Sequence, residues 1–105
     1  MADDITVEHD TQGSRFRVSL QGYEACLMYR RTGGEIDLYH TYVPEVFRGR
    51  GVAERLCAAA FEYAKVNKLT VVPSCSYISG AYLRRHPEYQ SLTKPGPTSN
   101  PVVSG

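Results

Sequence analysis

Apolar side chains recur at every second residue up to about Val43, and at every third or fourth from Val52 onward. A period of two is the signature of a half-buried strand and a period near 3.6 that of an amphipathic helix. The chain must therefore build sheet first and cross to helix at a single point. Ile5 to His9 alternates and reads as a short edge strand, and Thr11-Gln12-Gly13-Ser14 as a turn. Phe16, Val18 and Leu20 alternate with Arg15, Arg17 and Ser19, and Gln21-Gly22 suits a tight hairpin. Ala25 to Arg31 is a third strand, Thr32-Gly33-Gly34 a second turn, and Glu35 to Val43 a fourth strand. Strict alternation puts Ile36, Leu38, His40 and Tyr42 on one face of that strand, with Asp37, Tyr39, Thr41 and Val43 on the other. Four strands joined by short turns imply an antiparallel meander.

Val52, Leu56, Ala59, Ala60, Tyr63 and Ala64 then share one helical face, and the helix should end near Asn67-Lys68. Leu69 to Pro73 is a short apolar strand. A helical crossover would lay it parallel to the fourth strand. A short helix is expected from about Ser79 to Arg85, stopping before Pro87. Residues 1–92 form one domain, and residues 93–105, rich in proline, glycine and serine, read as a disordered tail.

The joint between the two periods is Arg48-Gly49-Arg50-Gly51-Val52-Ala53. The first N–H groups of a helix have no internal partner, and the helix dipole adds positive charge there. Glycine at 49 and 51 permits positive φ and lets an anion approach the backbone. The arginines add guanidinium groups that suit phosphate oxygens. The physical reading is a diphosphate cradle.

Composition excludes more than it selects. The 105 residues carry a net charge of +1, so nothing global points to nucleic acid. No apolar run approaches membrane-spanning length. Cys26, Cys57 and Cys75 make an odd count, without zinc-ligand spacing to His9, His40 or His86. No metal site is expected. A reduced intracellular setting is the simplest reading, cytoplasmic or, in a eukaryote, nuclear. The acidic start Met1-Ala2-Asp3-Asp4 carries no secretory, mitochondrial or plastid address.

Arg48-x-x-Gly51-x-Ala53 resembles the [Q/R]-x-x-G-x-[G/A] signature of the GNAT superfamily of N-acetyltransferases. Its context, Leu38 to Pro44 before it and Pro73 to Ile78 and Leu83 to Tyr89 after it, is similar to the minimal single-domain members found in bacteria, plants and animals. The resemblance covers roughly Val7 to Leu92. It implies an α/β (α+β) fold: a mixed sheet built as an antiparallel meander, then β-α-β and a short C-terminal helix. The two helices usual between the first two strands are lacking. It implies acetyl-CoA or coenzyme A as cosubstrate. The backbone of Thr41, Tyr42 and Val43 would bind the pantetheine arm like an added strand. The amides of Arg48, Gly49, Arg50, Gly51, Val52 and Ala53 would hold the pyrophosphate, with Cys75 and Ser76 beside the thioester, where the fourth and fifth strands splay.

Cys75 is the first catalytic candidate, as nucleophile, proton donor or pocket wall; Cys26 and Cys57 read as packing residues. Tyr77 and Tyr82 are both near enough in sequence to be the proton donor, and His40 is a candidate partner for Cys75. No base stands out; Glu35 and Asp37 lie on the fourth strand. The expected activity is transfer of an acetyl group to a primary amine, with a protein lysine as one acceptor, by a monomer or weak dimer. The alternative is a non-catalytic CoA- or acyl-CoA-binding module.

Overall fold

A computed structural model describes residues 5–94. Five strands form one mixed sheet in sequence order: β1 (Glu8–Asp10), β2 (Arg15–Leu20), β3 (Tyr23–Thr32), β4 (Glu35–Tyr42) and β5 (Thr70–Val72). The first four are antiparallel neighbours and β5 runs parallel to β4. The meander and the crossover stand as expected. Gln21 and Gly22 both take positive φ, which matches the twist of the strands they join. The first strand is shorter and later than the alternation implied: pairing begins at Glu8, while Ile5 is buried without joining the sheet.

One helix, α1 (Val52–Val66), crosses a single face of the sheet. Val52, Leu56, Cys57, Ala60, Phe61 and Ala64 bury against Phe16, Val18, Leu27, Ile36, Leu38 and Val71. Each fully buried aliphatic or aromatic side chain contributes on the order of 1.5–3 kcal/mol. The helix ends with Lys68 at φ 57°, with Leu69 N–H donating to Ala64 C=O and Lys68 N–H to Lys65 C=O. That paired closure satisfies carbonyls which the last turn would otherwise orphan. The opposite face of the sheet is polar, with ion pairs Arg17–Glu8 at 3.1 Å and Arg15–Glu24 at 3.0 Å. An antiparallel sheet tolerates one solvated face.

β4 departs from strict alternation. Met28 pairs with His40 but the next residue, Tyr29, pairs with Leu38, so Tyr39 is an extra residue bulged out of the ladder. Leu27 then opposes Thr41, and Cys26 opposes Tyr42. Opposed residues share a face. The bulge therefore turns Thr41 and Val43 toward the helix side, while His40 and Tyr42 fall on the open face and are exposed. The predicted grouping of His40 and Tyr42 with Ile36 and Leu38 is corrected by that one inserted residue.

The C-terminal segment starts earlier than expected. A π-helical turn over Tyr77–Tyr82 runs into α2 (Leu83–Arg85), and a 3-10 segment, Pro87–Leu92, follows. Thr93 bridges Val71 and Lys94 N–H donates to Val71 C=O at 2.7 Å, so these two residues lie against β5 rather than opening a tail. The rest of the predicted tail lies outside the described residues.

Candidate functional site

β4 and β5 pair only from Glu35 to Asp37, opposite Thr70 to Val72. Cys75 N–H then donates to Leu38 C=O at 2.9 Å, and the two chains part. Among the described residues no strand lies beside the following stretch of β4, Tyr39 to Tyr42, on that side. An unpaired strand edge is a template for an extended, amide-bearing ligand.

The sulfur of Cys75 sits 3.3 Å from the Thr41 hydroxyl across this gap. Cys75 is half-buried against the core, and its carbonyl accepts from both Ile78 and Ser79 N–H, so it heads the helical segment. His40 does not join it. The bulge puts His40 on the opposite face, and Thr41 is the neighbour that reaches the thiol. Ser76 is exposed beside Cys75 at the same helical start. Cys57 is fully buried in α1, and burial, with Cys75 and Glu54 nearby, pushes its thiol far up, which fits an inert packing residue. Cys26, also read as packing, lies half-buried on the open face of the sheet instead.

The glycine turn follows β4 directly. Pro44 starts a 3-10 turn, Glu45–Phe47, and Arg48 is extended. Gly49 has φ 78° and Gly51 φ 72°, and Gly51 caps α1. A side chain at either position would meet no atom within 4 Å, so only the backbone conformation demands glycine, and the space above it is open. The first helical hydrogen bond is Arg55 N–H to Gly51 C=O at 3.1 Å. Among the described residues the N–H groups of Val52, Ala53 and Glu54 donate to no backbone carbonyl. Val52, Ala53 and Glu54 line a pocket of about 260 Å³ together with Val43, Arg48, Gly49 and Gly51.

Tyr77 and Arg85 line this pocket with Glu54; of the three, only Tyr77 is a site candidate from the sequence. Arg85 donates to Glu54 Oε2 at 2.9 Å and to the Tyr77 hydroxyl at 3.0 Å, and Tyr77 donates to Glu54 Oε2 at 3.4 Å. His86 Nε2 donates to Glu54 Oε1 at 2.8 Å. Burial, with Cys57 and Glu54 adding to it, pushes the Tyr77 phenol up. Its hydroxyl is thus committed to Glu54 and Arg85 rather than to Cys75. Thirty-one residues separate Glu54 from Arg85, so no local pattern announces the pair. The one available signal is a carboxylate in the first turn of α1 and a basic run, Arg84-Arg85-His86, after the last helix.

The two acids of β4 have different environments. Glu35 pairs with Lys94 at 3.0 Å. Asp37 sits opposite Val72, the last residue of β5, and its Oδ1 is buried with no hydrogen-bond partner among the described residues. Its cross-strand opposite, Arg30, lies instead over the Tyr39 ring at 4.3 Å. Unpaired buried carboxylate oxygens are uncommon and mark places where a water or cation belongs.

Residues 15–92 match a protein family described as GCN5-related N-acetyl-transferase. Over 93 residues the chain is 40% identical to Protein NATD1 of Mus musculus, covering 86% of this chain and 84% of that protein. The corresponding figures for Protein NATD1 of Homo sapiens are 39%, 86% and 81%. The fold is similar to the NMR solution structure of a GCN5-like protein from Staphylococcus aureus, with a TM-score of 0.67, 26% identity and coverage of 85% of this chain and 87% of that one. The match over residues 15–92 and the identity to these relatives place the chain: it is a member of the GCN5-related N-acetyltransferase family.

Proposed function

We propose that the protein is an acetyl-CoA-dependent N-acetyltransferase acting on a primary amine. The observation that carries this reading is the continuity of three features. The turn leads into α1, where the N–H groups of Val52 and Ala53 donate to no backbone carbonyl among the described residues and are open to a diphosphate, whereas the Arg48 and Arg50 N–H groups, also expected to hold it, donate to Glu45 and Phe47 C=O. The free edge of Thr41 to Val43 leads from it. The Thr41–Cys75 pair stands where the strands part. Acetyl-CoA would supply an activated thioester carbonyl at that point.

The acceptor nitrogen must arrive unprotonated, form a bond to the carbonyl carbon, expel the CoA thiolate and lose a second proton, which passes to that thiolate, directly or by relay through a group that gives up one proton and regains the other. Asp37, whose Oδ1 has no hydrogen-bond partner among the described residues, lies on the open face opposite Arg30 and is the candidate to receive the ammonium proton of an amine arriving from that side, through water. The Cys75 thiol, 3.3 Å from the Thr41 hydroxyl, is a proton donor at the gap. Little protein encloses the open face of the sheet, which favours an exposed amine such as a protein lysine over a small, wholly enclosed acceptor. The setting proposed is intracellular.

Incubation of the protein with acetyl-CoA and amine acceptors, including lysine peptides, tests this directly. Acceptor-dependent release of thiol, lost in Asp37→Asn, supports the enzyme. Binding of CoA without release for any amine leaves the non-catalytic CoA-binding module as the function.

A further inference from the structure

We propose that Arg85 is a ligand for the CoA diphosphate held in reserve on Glu54, and that His86 takes up a proton as Arg85 leaves. This rests on the CoA reading above and adds to it a binding residue and a coupled proton.

The glycine turn brings Glu54 into the anion pocket, at the third position of α1 and on the pocket wall. A carboxylate beside a diphosphate is repulsive unless it is neutralised. Arg85 neutralises it now, at 2.9 Å, and lines the same pocket. Its side chain is 57% exposed, so the pair is a solvent-screened one that exchanges at little cost. A guanidinium binds phosphate oxygens in a bidentate fork and prefers them when they arrive. Transfer of Arg85 to the diphosphate strips Glu54 of its cation.

His86 is already in position to replace it. Its Nε2 lies 2.8 Å from Glu54 Oε1, and the imidazole is the one side chain that ordinarily changes charge between pH 5 and 8. The groups packed around His86 are two carboxylates and two phenol rings. Glu54 faces it from α1, Glu88 approaches Nδ1 at 3.6 Å, and the rings of Tyr82 and Tyr89 lie at 4.4 and 6.3 Å. The opposing charge in the same cleft is Arg55 of α1, whose guanidinium donates to Ile5 C=O at 3.1 Å. Losing Arg85 from Glu54 thus leaves two carboxylates against one imidazole, and proton uptake restores the balance.

The test is calorimetric titration with CoA near pH 7 in buffers of low and high ionisation enthalpy, which counts protons exchanged on binding. Wild type should take up more protons than His86→Gln, by up to about one per CoA. The titration of CoA's own phosphates cancels in that difference. Arg85→Met should bind CoA about tenfold more weakly and lose the extra uptake. Glu54→Gln, which frees Arg85 without removing it, should bind at least as tightly as wild type and show no extra uptake; it keeps the test sharp if Arg85→Met fails to fold. Equal proton counts in wild type and His86→Gln, or unchanged affinity in folded Arg85→Met, overturn this proposal and leave the CoA reading standing. Absence of CoA binding in wild type overturns both.

Discussion

Thr41 and Cys75 stand 3.3 Å apart, oxygen to sulfur, bridging the point where β4 and β5 separate. The contact exists because Tyr39 is bulged out of β4, which aims Thr41 toward the helix side and His40 away from it. If the thiol supplies the proton to the departing thiolate, Cys75→Ala should lower turnover by about a hundredfold, the lower end of what positioned acids contribute, and leave CoA affinity within a few-fold. Thr41→Val should show a smaller loss of the same kind. His40→Ala should leave turnover unchanged. Steady-state kinetics beside CoA titration measures the split, and full turnover in Cys75→Ala would demote the thiol to pocket wall.

The three cysteines should separate by reactivity. Cys57 is fully buried and its thiol is pushed far up by burial, so it should resist alkylation until the protein unfolds. Cys26 and Cys75 are partly accessible. CoA should protect Cys75 and not Cys26, because Cys26 lies on the opposite face of the sheet. Peptide mass mapping after timed alkylation reads all three at once; native labelling of Cys57, or equal protection of Cys26, would contradict the placement.

The architecture was largely legible because its signals are local. Alternation, turn residues and the shift of period at Gly51 specify the meander, the crossover and the anion turn. Two things were not. An inserted residue in β4 leaves the apolar pattern of Ile36 and Leu38 intact and shows only in the pairing with β3, so His40 was assigned to the wrong face. The Glu54–Arg85–His86 cluster joins the start of α1 to the end of α2, and its members look like ordinary surface charges in sequence.

Lys68 closes α1 at φ 57°, a conformation that costs a side chain with a Cβ about 1 kcal/mol and glycine little. Lys68→Gly should keep the two terminal hydrogen bonds and stabilise the fold by roughly 0.5–1 kcal/mol. Thermal unfolding measures this as a raised Tm. A lowered Tm would mean that the lost chain stiffness outweighs the relieved strain.

His9 predicts a pH effect on stability. Its ring stacks on Phe16 at 4.1 Å and bonds the Tyr29 hydroxyl at 2.7 Å. Burial lowers its pKa, against a smaller opposing pull from Asp10. The unfolded chain therefore binds the proton more readily than the folded one below about pH 6.5, and stability present above that value is lost as pH falls through it. Tm should drop between pH 7.5 and 5.5, and the drop should be smaller in His9→Phe. An equal drop in both proteins would place the effect elsewhere.

The central claim is that the turn from Arg48 to Ala53 binds the diphosphate of CoA through its backbone. The most direct measurement is calorimetric titration of CoA and acetyl-CoA into wild type and into the double variant Gly49→Val, Gly51→Val, with circular dichroism to confirm that the variant is folded. Valine is strained at both positive-φ positions and distorts the cradle. One-to-one saturable binding in wild type, abolished in the folded variant, is the predicted result. No binding to wild type at millimolar ligand, or equal affinity in the variant, would contradict it.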